Sequence, residues 1–319
     1  MALALVFPGQ GSQVVGMGRD LAAAFTPARE VFEAVDETLK QNLSRLMFEG
    51  PAEELTLTAN AQPALMAVSL AVLRVLEAEG GLDIKNRVAL VAGHSLGEYS
   101  ALAAVRAFDV PQAARLLRLR GDAMQKAVPA GTGAMAALLG AEMEQARAIC
   151  ERAAENPETG RREVVEAAND NGGGQVVISG HKAAVERAVE IAKAEGIRRA
   201  MLLPVSAPFH SSLMAPAADA MGEALERDPP RAPLVPVVAN VTAAKATDPD
   251  VIRDLLVRQV TGTVRWRECV AAMAAMGCDT FVEVGSGKVL TGLMKRNAPE
   301  ATAMACGTPA EIESVLKAL

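Results

Sequence analysis

The chain has 319 residues, half of them hydrophobic and only 3% aromatic, and its formal net charge is −6. This length allows one large α/β domain that carries an insert, with a core built mainly from Ala, Val and Leu. The acidic balance argues against nucleic acid as a partner. Four cysteines lie far apart without a C-x-x-C pair, which predicts reduced, buried thiols in a cytoplasmic protein.

The amino-terminal residues predict a short buried strand, Leu3–Phe7, followed by a glycine loop. Pro8 interrupts the apolar run and no positive charge precedes it, so we expect a first strand and not a signal peptide. Gly9 and Gly11 begin a dinucleotide-binding pattern, but Val14 stands at its third glycine position. We therefore expect a turn that approaches a reacting group. Every long apolar run is interrupted by charge before 18 residues, so no membrane span is predicted.

Periodic apolar residues and helix-start signals predict most of the helices outside the middle of the chain. The stretch that opens at Thr58 and ends at Ala78 is expected to be amphipathic from Ala64 onward. The predicted helices are Thr26–Gln41, Ser44–Phe48, Ala64–Ala78, Val110–Lys126, Ser211–Glu226, Asp250–Val260, Trp266–Met276 and Val289–Arg296, and the remaining predicted strands are Val235–Val238 and Phe281–Val284.

The stretch from Val88 to Ala104 predicts a catalytic serine. Its first five residues form a continuous apolar run, typical of a strand buried on both faces. The sequence G-H-S-L-G follows with Ser95 at its centre, and helix-forming residues begin at Glu98. This is the G-x-S-x-G nucleophile elbow in its strand–turn–helix setting, which lifts the serine hydroxyl above the carboxyl end of a sheet. The alternative is a glycine-rich turn in which Ser95 only caps the helix.

A serine hydroxyl needs a base to become a nucleophile, and the chain has three histidines. His210 lies between a predicted strand and a predicted helix, after the serine in the chain, as the elbow arrangement expects. His94 neighbours the nucleophile, where a side chain usually points elsewhere, and His181 begins an exposed-looking helix. His210 is therefore the predicted base.

The acid that would complete a triad is not evident in the sequence. Asp109, Asp122 and Asp170 lie between the serine and His210, and none follows a clear strand end. Because fixing the histidine tautomer requires an acceptor but not a charge, a Ser–His dyad held by a backbone carbonyl and a full triad both remain open.

Arg120 stands in an apolar helix just before a glycine. A guanidinium there can hold a substrate carboxylate through two hydrogen bonds, which an esterase would not need. The alternative is a structural salt bridge or an exposed side chain.

The middle of the chain has its own pattern, in which strands and helices alternate in the order β-α-β-β-α-β. This order is typical of a ferredoxin-like module and predicts an insert, with the active site in the cleft beside it. Its predicted elements are the strands Gly133–Leu139, Val164–Ala168, Gln175–Ser179 and Ala200–Val205, the helices Glu142–Ala154 and His181–Ala194, and the turn Asn169–Gly174.

Several motifs, taken together and in this order, resemble one enzyme family. The chain is similar, nearly end to end, to the malonyl-CoA:acyl carrier protein transacylases, the stand-alone enzymes of type II fatty acid synthesis. The motifs are F-P-G-Q-G-S-Q from Phe7, G-H-S-L-G-E-Y from Gly93, Arg120 with Met124-Gln125, Q-V-V-I-S-G from Gln175, A-P-F-H ending at His210, and E-V-G-S-G-K-V-L from Glu283.

The resemblance implies a fold and a division of the chain. The expected fold class is α/β, with an α/β-hydrolase-like large subdomain formed by residues 1–128 and 206–319. A ferredoxin-like small subdomain, residues 129–205, is inserted into it.

The resemblance also implies a reaction centre. Ser95 matches the nucleophile, His210 the general base and Arg120 the residue that pairs with the free malonyl carboxylate. The backbone N–H groups of Gln10 and Leu96 match the oxyanion hole. The main-chain carbonyl of Gln259 matches the group that orients the histidine, so a missing aspartate is expected.

A second set of residues matches the acyl pocket and the path of the thioester arm. In related modular acyltransferases an aromatic residue at the position of Phe209 accompanies malonyl specificity, and a smaller residue accompanies methylmalonyl. The residues placed in this set are Gln62, Met124, Phe209, Asn169 and Asn171.

The implied substrates are malonyl-CoA and holo acyl carrier protein, with no cofactor, no metal, no nucleic acid and no membrane, and a monomer is expected. Acyl carrier proteins are acidic, as this chain is, so docking requires a local basic patch. Its candidates are Lys182, Arg198, Arg199, Lys288, Lys295 and Arg296. A serine thioesterase, an idle carrier-docking module and a polyketide-pathway transacylase are the competing hypotheses.

Overall fold

The computed structural model describes residues 2–197, 199–205 and 207–319, and its strands form two separate sheets. In chain order the strands are β1 (Leu3–Phe7), β2 (Val88–Gly93), β3 (Gly133–Leu139), β4 (Val165–Gly172), β5 (Gln175–His181), β6 (Arg199–Leu202), β7 (Val237–Val238), β8 (Lys245–Ala246), β9 (Thr280–Val284) and β10 (Thr302–Cys306). The larger sheet has the order β10-β9-β1-β2-β7-β8, and the smaller has the order β4-β5-β3-β6.

Helices surround the larger sheet and cover one side of the smaller one. They are α1 (Arg19–Ala24), α2 (Thr26–Leu39), α3 (Leu43–Glu49), α4 (Ala52–Thr56), α5 (Thr58–Ala78), α6 (Ile84–Arg87), α7 (Gly97–Ala104), α8 (Val110–Lys126), α9 (Met143–Ala153), α10 (Lys182–Ala194), α11 (Ala215–Arg227), α12 (Pro249–Thr261), α13 (Trp266–Ala275), α14 (Val289–Asn297) and α15 (Pro309–Ala318), with a 3₁₀ turn at Ser212–Met214.

The larger sheet is parallel except for β8, which pairs antiparallel with β7 at one edge. Alternate side chains of a strand point to opposite faces, and β1 shows this clearly. Leu3, Leu5 and Phe7 join one hydrophobic core, while Ala4 and Val6 join another on the opposite face. Burial on both faces explains the continuous apolar run of β1.

The carboxyl ends of the parallel strands bring distant loops to one edge of the larger sheet. The loops after β1, β2 and β7 begin next to one another, because β1 pairs with β2 and β2 with β7. In open α/β sheets this edge is where ligands bind.

The smaller sheet is antiparallel and has two different faces. Ala136, Leu138 and Ile178 pack with α9 and α10 into a core of their own. Met135 and Val177, which point the other way, contact the core of the larger part. The predicted order β-α-β-β-α-β is the order observed.

Several boundaries differ from the predictions. The turn expected at Asn169–Gly174 is wrong, because β4 continues to Gly172 and only Gly173 and Gly174 separate it from β5. Gly172, Gly173 and Gly174 all have positive φ, which lets the chain reverse within so short a hairpin. The predicted Val235–Val238 strand is also shorter, since only its last two residues pair.

Helix α5 is not amphipathic as predicted. It begins at Thr58, includes Pro63, and buries most of its residues on all sides. It is long and apolar enough to cross a membrane, but 89% of its most apolar window lies buried inside the protein. A helix that is hydrophobic all round is expected at the centre of a large core, and that is where α5 lies.

Candidate active site

The elbow after β2 holds Ser95 in a strained backbone conformation. Its φ is 54°, in the left-handed region that a residue with a side chain rarely adopts. Glycines on either side make the turn possible: a Cβ on Gly93 would lie 1.9 Å from the Gly97 carbonyl carbon, and one on Gly97 would lie 2.3 Å from the Phe7 carbonyl oxygen. The loop after β1 and the elbow are therefore in direct contact.

The fold brings His210 next to the serine, although the two residues lie 115 positions apart in the chain. The distance from Ser95 Oγ to His210 Nε2 is 2.7 Å, a normal hydrogen bond between a hydroxyl and an imidazole. His210 also has a left-handed φ, 58°, and its side chain is buried. Two residues in sparsely populated conformations therefore face each other, as strained residues often do at active sites.

The other ring nitrogen of His210 faces a backbone carbonyl. His210 Nδ1 lies 2.9 Å from the Gln259 carbonyl oxygen, which fixes Nδ1 as the donor and leaves Nε2 free to accept the serine proton. Asp109 instead caps α8, and Asp170 pairs with Arg267 at 2.8 Å. The backbone-carbonyl arrangement is thus the one present, of the two that the sequence left open.

Burial and, next in size, the nearby positive charge of Arg120 together lower the pKa of His210 to about 3, against the opposing effect of the Gln259 carbonyl. The imidazole is therefore neutral at neutral pH, which is the form that can accept a proton.

Arg120 is a buried cation, only 1% exposed. Nη1 donates to Gln62 Oε1 at 2.7 Å, and Nη2 donates to Gln259 Oε1 at 3.0 Å and to Ser95 Oγ at 3.2 Å. Its guanidinium carbon lies 5.7 Å from the centre of the Tyr99 ring, within cation–π range. Gly121 permits this position, because a Cβ there would lie 2.6 Å from Ala59 Cα of α5.

Within the described part of the chain, Arg120 forms no ion pair with a carboxylate. Its hydrogen-bond partners are amide and hydroxyl oxygens. Arg120 is therefore neither in a structural salt bridge nor exposed, which were the two alternatives to a binding role. A buried guanidinium held by neutral groups is well suited to receive an anion.

A cavity of about 480 Å³ opens above the serine between the two sheets. Its wall from the smaller sheet includes Met135 and Val177, which the sequence did not single out. The predicted site residues that line it are Gln10, Gln62, Ser95, Leu96, Arg120, Met124, Asn169, Asn171, Phe209 and His210. Gln259, the remaining predicted residue, lies behind the wall and is fully buried.

Gln10 and Leu96 border the cavity on either side of the serine. Within the described residues, no hydrogen-bond acceptor is found for the backbone N–H of either one. The Gln10 side chain is fixed from α5, since Thr58 Oγ1 donates to Gln10 Oε1 at 2.9 Å. Leu96 directly precedes α7, whose helix dipole favours negative charge at this end.

Asn169 and Asn171 enter from β4, and only Asn171 has a hydrogen bond to the elbow. Its Oδ1 lies 2.8 Å from His94 Nε2. Burial lowers the pKa of His94, which keeps that ring neutral. His94 thus joins the two parts of the molecule, with its Nε2 engaged by Asn171.

Two polar residues that the sequence analysis gave no role support the serine from below. Asn240 follows β7; its Oδ1 accepts the Ser95 backbone N–H at 2.8 Å, and its Nδ2 donates to the Gly93 carbonyl at 2.7 Å. The Glu98 carboxylate accepts the Asn240 backbone N–H at 2.9 Å. A polar residue two positions after a strand was the available signal for Asn240.

The basic residues proposed for docking lie in two places. Lys288, Lys295 and Arg296 lie on or just before α14, which packs against β4 near Asn171. Lys288 pairs with Glu311 at 2.7 Å, and Arg296 Nη1 donates to the Gly173 carbonyl at 3.3 Å. Lys182 and Arg199 belong to the smaller sheet and its helix, whereas Arg198 lies outside the described residues.

All four cysteines are buried as free thiols. Across residues 2–197, 199–205 and 207–319, no group of three or more side chains is arranged to hold a metal ion.

Comparison with known proteins places the chain among acyltransferases. The acyl transferase domain family matches residues 4–312. Malonyl CoA-acyl carrier protein transacylase of Escherichia coli strain K12 is 48% identical over 314 residues, which cover 98% of each chain. The Bacillus subtilis enzyme of the same name is 44% identical, over 99% of this chain and 97% of its own.

Solved structures agree with the sequence relatives. The acyl-carrier-protein-S-malonyltransferase of Bartonella henselae is 55% identical and superposes with a TM-score of 0.95, covering 100% of this chain and 99% of its own. A malonyl-transacylase in complex with its type II PKS acyl-carrier protein is 43% identical, with a TM-score of 0.95 and full coverage of both chains.

Proposed function

The chain belongs to the acyl transferase domain family, and on that premise we propose that it moves a malonyl group from malonyl-CoA to the phosphopantetheine thiol of acyl carrier protein. One observation carries the proposal. Arg120 Nη2 lies 3.2 Å from Ser95 Oγ, the atom to be acylated. An acyl group bound to Ser95 can reach Arg120 with its carboxylate only if its chain is short, and malonyl has a single methylene between its two carbonyl carbons.

The first half-reaction acylates the serine. Arg120 holds the substrate carboxylate and sets the thioester carbonyl over Ser95 Oγ. His210 Nε2 takes the hydroxyl proton as the Oγ–carbon bond forms, and the Gln10 and Leu96 N–H groups bind the oxyanion. The carbon–sulfur bond then breaks, coenzyme A leaves as the thiol with the proton from His210, and malonyl-Ser95 remains.

The second half-reaction returns the enzyme to its first state. The carrier thiol gives its proton to His210 and attacks the malonyl-serine ester, and the proton is passed to Ser95 Oγ as the ester breaks. This is a ping-pong cycle, since coenzyme A departs before the carrier reacts. Gln259 keeps the required tautomer of His210 in both halves, and no cofactor or metal has a part in the cycle.

The pocket walls support a preference among acyl groups. Phe209 lines the cavity beside His210, and its bulk disfavours a methyl branch on the α-carbon. One methyl group changes binding by only about 1–3 kcal/mol, so this is a preference for malonyl over methylmalonyl. Gln62 and Met124 contact one another, with Gln62 Nε2 3.7 Å from Met124 Sδ, and they close the acyl end. Asn169 and Asn171 border the thioester arm.

We further propose the division of the chain given by the sequence, with an α/β-hydrolase-like part (1–128 and 206–319) and a ferredoxin-like insert (129–205). Both reactive groups come from one chain, so a monomer suffices. The free buried thiols fit a cytoplasmic protein. The acidic carrier docks near Lys288, Lys295 and Arg296, beside the cavity.

Product analysis tests the proposal. The protein is mixed with malonyl-CoA and holo acyl carrier protein, and malonyl-carrier and free malonate are quantified. We expect malonyl-carrier to predominate. A thioesterase would release malonate at the same rate with and without the carrier, and that outcome would overturn the proposed transfer.

A further inference from the structure

Glu98 is a buried carboxylate for which the proposed cycle has no use. It lies in the first turn of α7, three residues after the nucleophile, and is 1% exposed. Burying a carboxylate is costly unless hydrogen bonds or a counter-charge compensate it. Its Oε2 atom accepts two hydrogen bonds, from the Asn240 backbone N–H at 2.9 Å and from Gln259 Nε2 at 3.0 Å.

Gln259 connects this carboxylate to the substrate cation. While Gln259 Nε2 donates to Glu98, Gln259 Oε1 accepts from Arg120 Nη2 at 3.0 Å. An amide has one donor end and one acceptor end, so the Glu98 carboxylate, together with the Ser95 carbonyl oxygen that accepts from the same Nε2 at 2.9 Å, fixes which end faces Arg120. Reversing the amide would place its N–H₂ group against a guanidinium that has only donors.

Glu98 also supplies the missing charge. The hydrogen-bond partners found for Arg120 in the described part of the chain are neutral, so Glu98, joined to it through one amide, is its nearest linked anion. A cation partly neutralised in this way attracts a substrate carboxylate less strongly than an isolated one. The field of Glu98 does not act in the same way on an acyl group without charge.

We propose that Glu98 is a positioning residue that holds and partly neutralises Arg120 through Gln259, and so sets how strongly the site prefers acyl groups bearing a carboxylate. This inference rests on the proposed malonyl transfer. The two are tested by different measurements. The proposed function is tested by malonyl transfer itself, and this inference by the ratio of the acylation rates for malonyl-CoA and acetyl-CoA. A group that changes both rates equally leaves that ratio unchanged.

Among the titratable groups around Glu98 and Arg120, Glu98 is the one whose charge changes near neutral pH. Burial raises the pKa of Glu98 to about 7, against its hydrogen bonds and Arg120. Burial raises the pKa of Tyr99, on the same helix, and of Cys269, on α13, far above neutral. His210 and His94 have lowered pKa values and stay uncharged. Between about pH 8 and pH 6, Glu98 therefore gains a proton while Arg120 stays charged.

The first test compares the wild type with Glu98→Gln. Glutamine retains an acceptor for Asn240 and Gln259 but removes the negative charge. Ser95 acylation by malonyl-CoA and by acetyl-CoA is followed by intact mass in single turnovers. We expect the malonyl-to-acetyl ratio to rise by about tenfold, toward the lower end of typical couplings between sites. An unchanged or lower ratio would overturn the proposal, because a purely structural role would slow both substrates alike.

The second test needs only the wild type for its decision, so it holds even if the control variant Glu98→Gln does not fold. The same ratio is measured between about pH 8 and pH 6. We expect it to rise as pH falls and Glu98 becomes neutral, and to be independent of pH in Glu98→Gln. A ratio that is flat in the wild type would contradict the proposal. If the wild type transfers no malonyl at all, the proposed function fails instead, so the two failures are distinct.

Discussion

The carboxyl edge of the larger sheet and the cavity-facing side of the smaller sheet meet across one pocket but contribute different chemistry. The larger part provides Ser95, His210 and Arg120, and two of these have left-handed backbones. The smaller sheet provides apolar walls such as Met135 and Val177, together with two asparagine amides. No ionisable side chain of the smaller sheet lines the cavity within the described residues.

This difference indicates a division of labour. Strained, hydrogen-bonded loops that follow the buried central strands of the larger sheet keep the reacting atoms within about 0.5 Å of a productive geometry. A wall carried by an inserted module can change shape without moving those atoms. We therefore expect substitutions of the reacting groups in the larger part to lower the rate of malonyl acylation strongly, and substitutions in the smaller part to change which acyl groups are accepted with little loss of that rate.

The largest effect is expected for Ser95→Ala. Removing the nucleophile should lower malonyl transfer by about 10⁴-fold or more. Ser212→Ala is the matched control, because its hydroxyl donates to Glu166 and not to His210. Steady-state transfer to holo carrier protein measures both. Substantial transfer by Ser95→Ala would show that Ser95 is not the nucleophile and that the larger part does not supply the reacting group.

A smaller loss is expected for Arg120→Ala. Malonyl-CoA should acylate this variant roughly 10²- to 10⁴-fold more slowly, because two charge-assisted hydrogen bonds of about 1.5–3 kcal/mol each are lost. Acetyl-CoA should lose much less. The control is Arg118→Ala on the same helix, whose side chain bonds Gln41 away from the cavity. Equal losses for malonyl-CoA and acetyl-CoA would show that Arg120 is only structural.

The wall of the smaller sheet should change selectivity modestly. Val177→Ala widens the cavity and should raise the methylmalonyl-to-malonyl ratio by about tenfold or less. Val176→Ala removes the same atoms from the opposite face of the strand, within the small core, and should leave the ratio unchanged. Competition between the two acyl-CoA substrates measures it. A change of equal size in the methylmalonyl-to-malonyl ratio of both variants would show that the cavity-facing wall of the smaller sheet does not set selectivity.

The smallest effect concerns acid pH. The protonated imidazole cannot act as a base, and a histidine with an ordinary pKa near 6.5 would lose about thirtyfold in rate at pH 5. Because burial and Arg120 lower the pKa of His210 to about 3, the neutral form should persist. Labelling of Ser95 by a neutral sulfonyl fluoride should therefore change by less than about threefold between pH 7.5 and pH 5. Circular dichroism checks that the protein stays folded at pH 5. A fall in the labelling rate with a midpoint near pH 6.5 would contradict the lowered pKa of His210.

The sequence predicted local features better than distant contacts. Ser95 follows from a strand, a turn and a helix that are contiguous in the chain, and His210 from chain order among three histidines. Gln259 came only from the family resemblance, since a backbone carbonyl leaves no sign in side-chain chemistry. Asn240 was missed because its partner, Ser95, lies 145 residues away.

The carboxyl-terminal elements were missed for a different reason. Strand β10 has the sequence T-A-M-A-C, with one β-branched residue, and lies at the edge of the sheet with most of its residues only partly buried. Its pattern is therefore weak. Helix α15 follows it, with Thr308 as a cap that the sequence analysis did not use.

The most direct test of the central claim, that Ser95 carries the malonyl group between two thiols, is an intact-mass measurement in two steps. The protein is first mixed with malonyl-CoA, freed of excess substrate, and then mixed with holo acyl carrier protein. We predict one malonyl adduct that maps to Ser95 and that moves to the carrier thiol on the second addition. A carrier that becomes malonylated only while malonyl-CoA is present, with no adduct on the protein, would contradict the account.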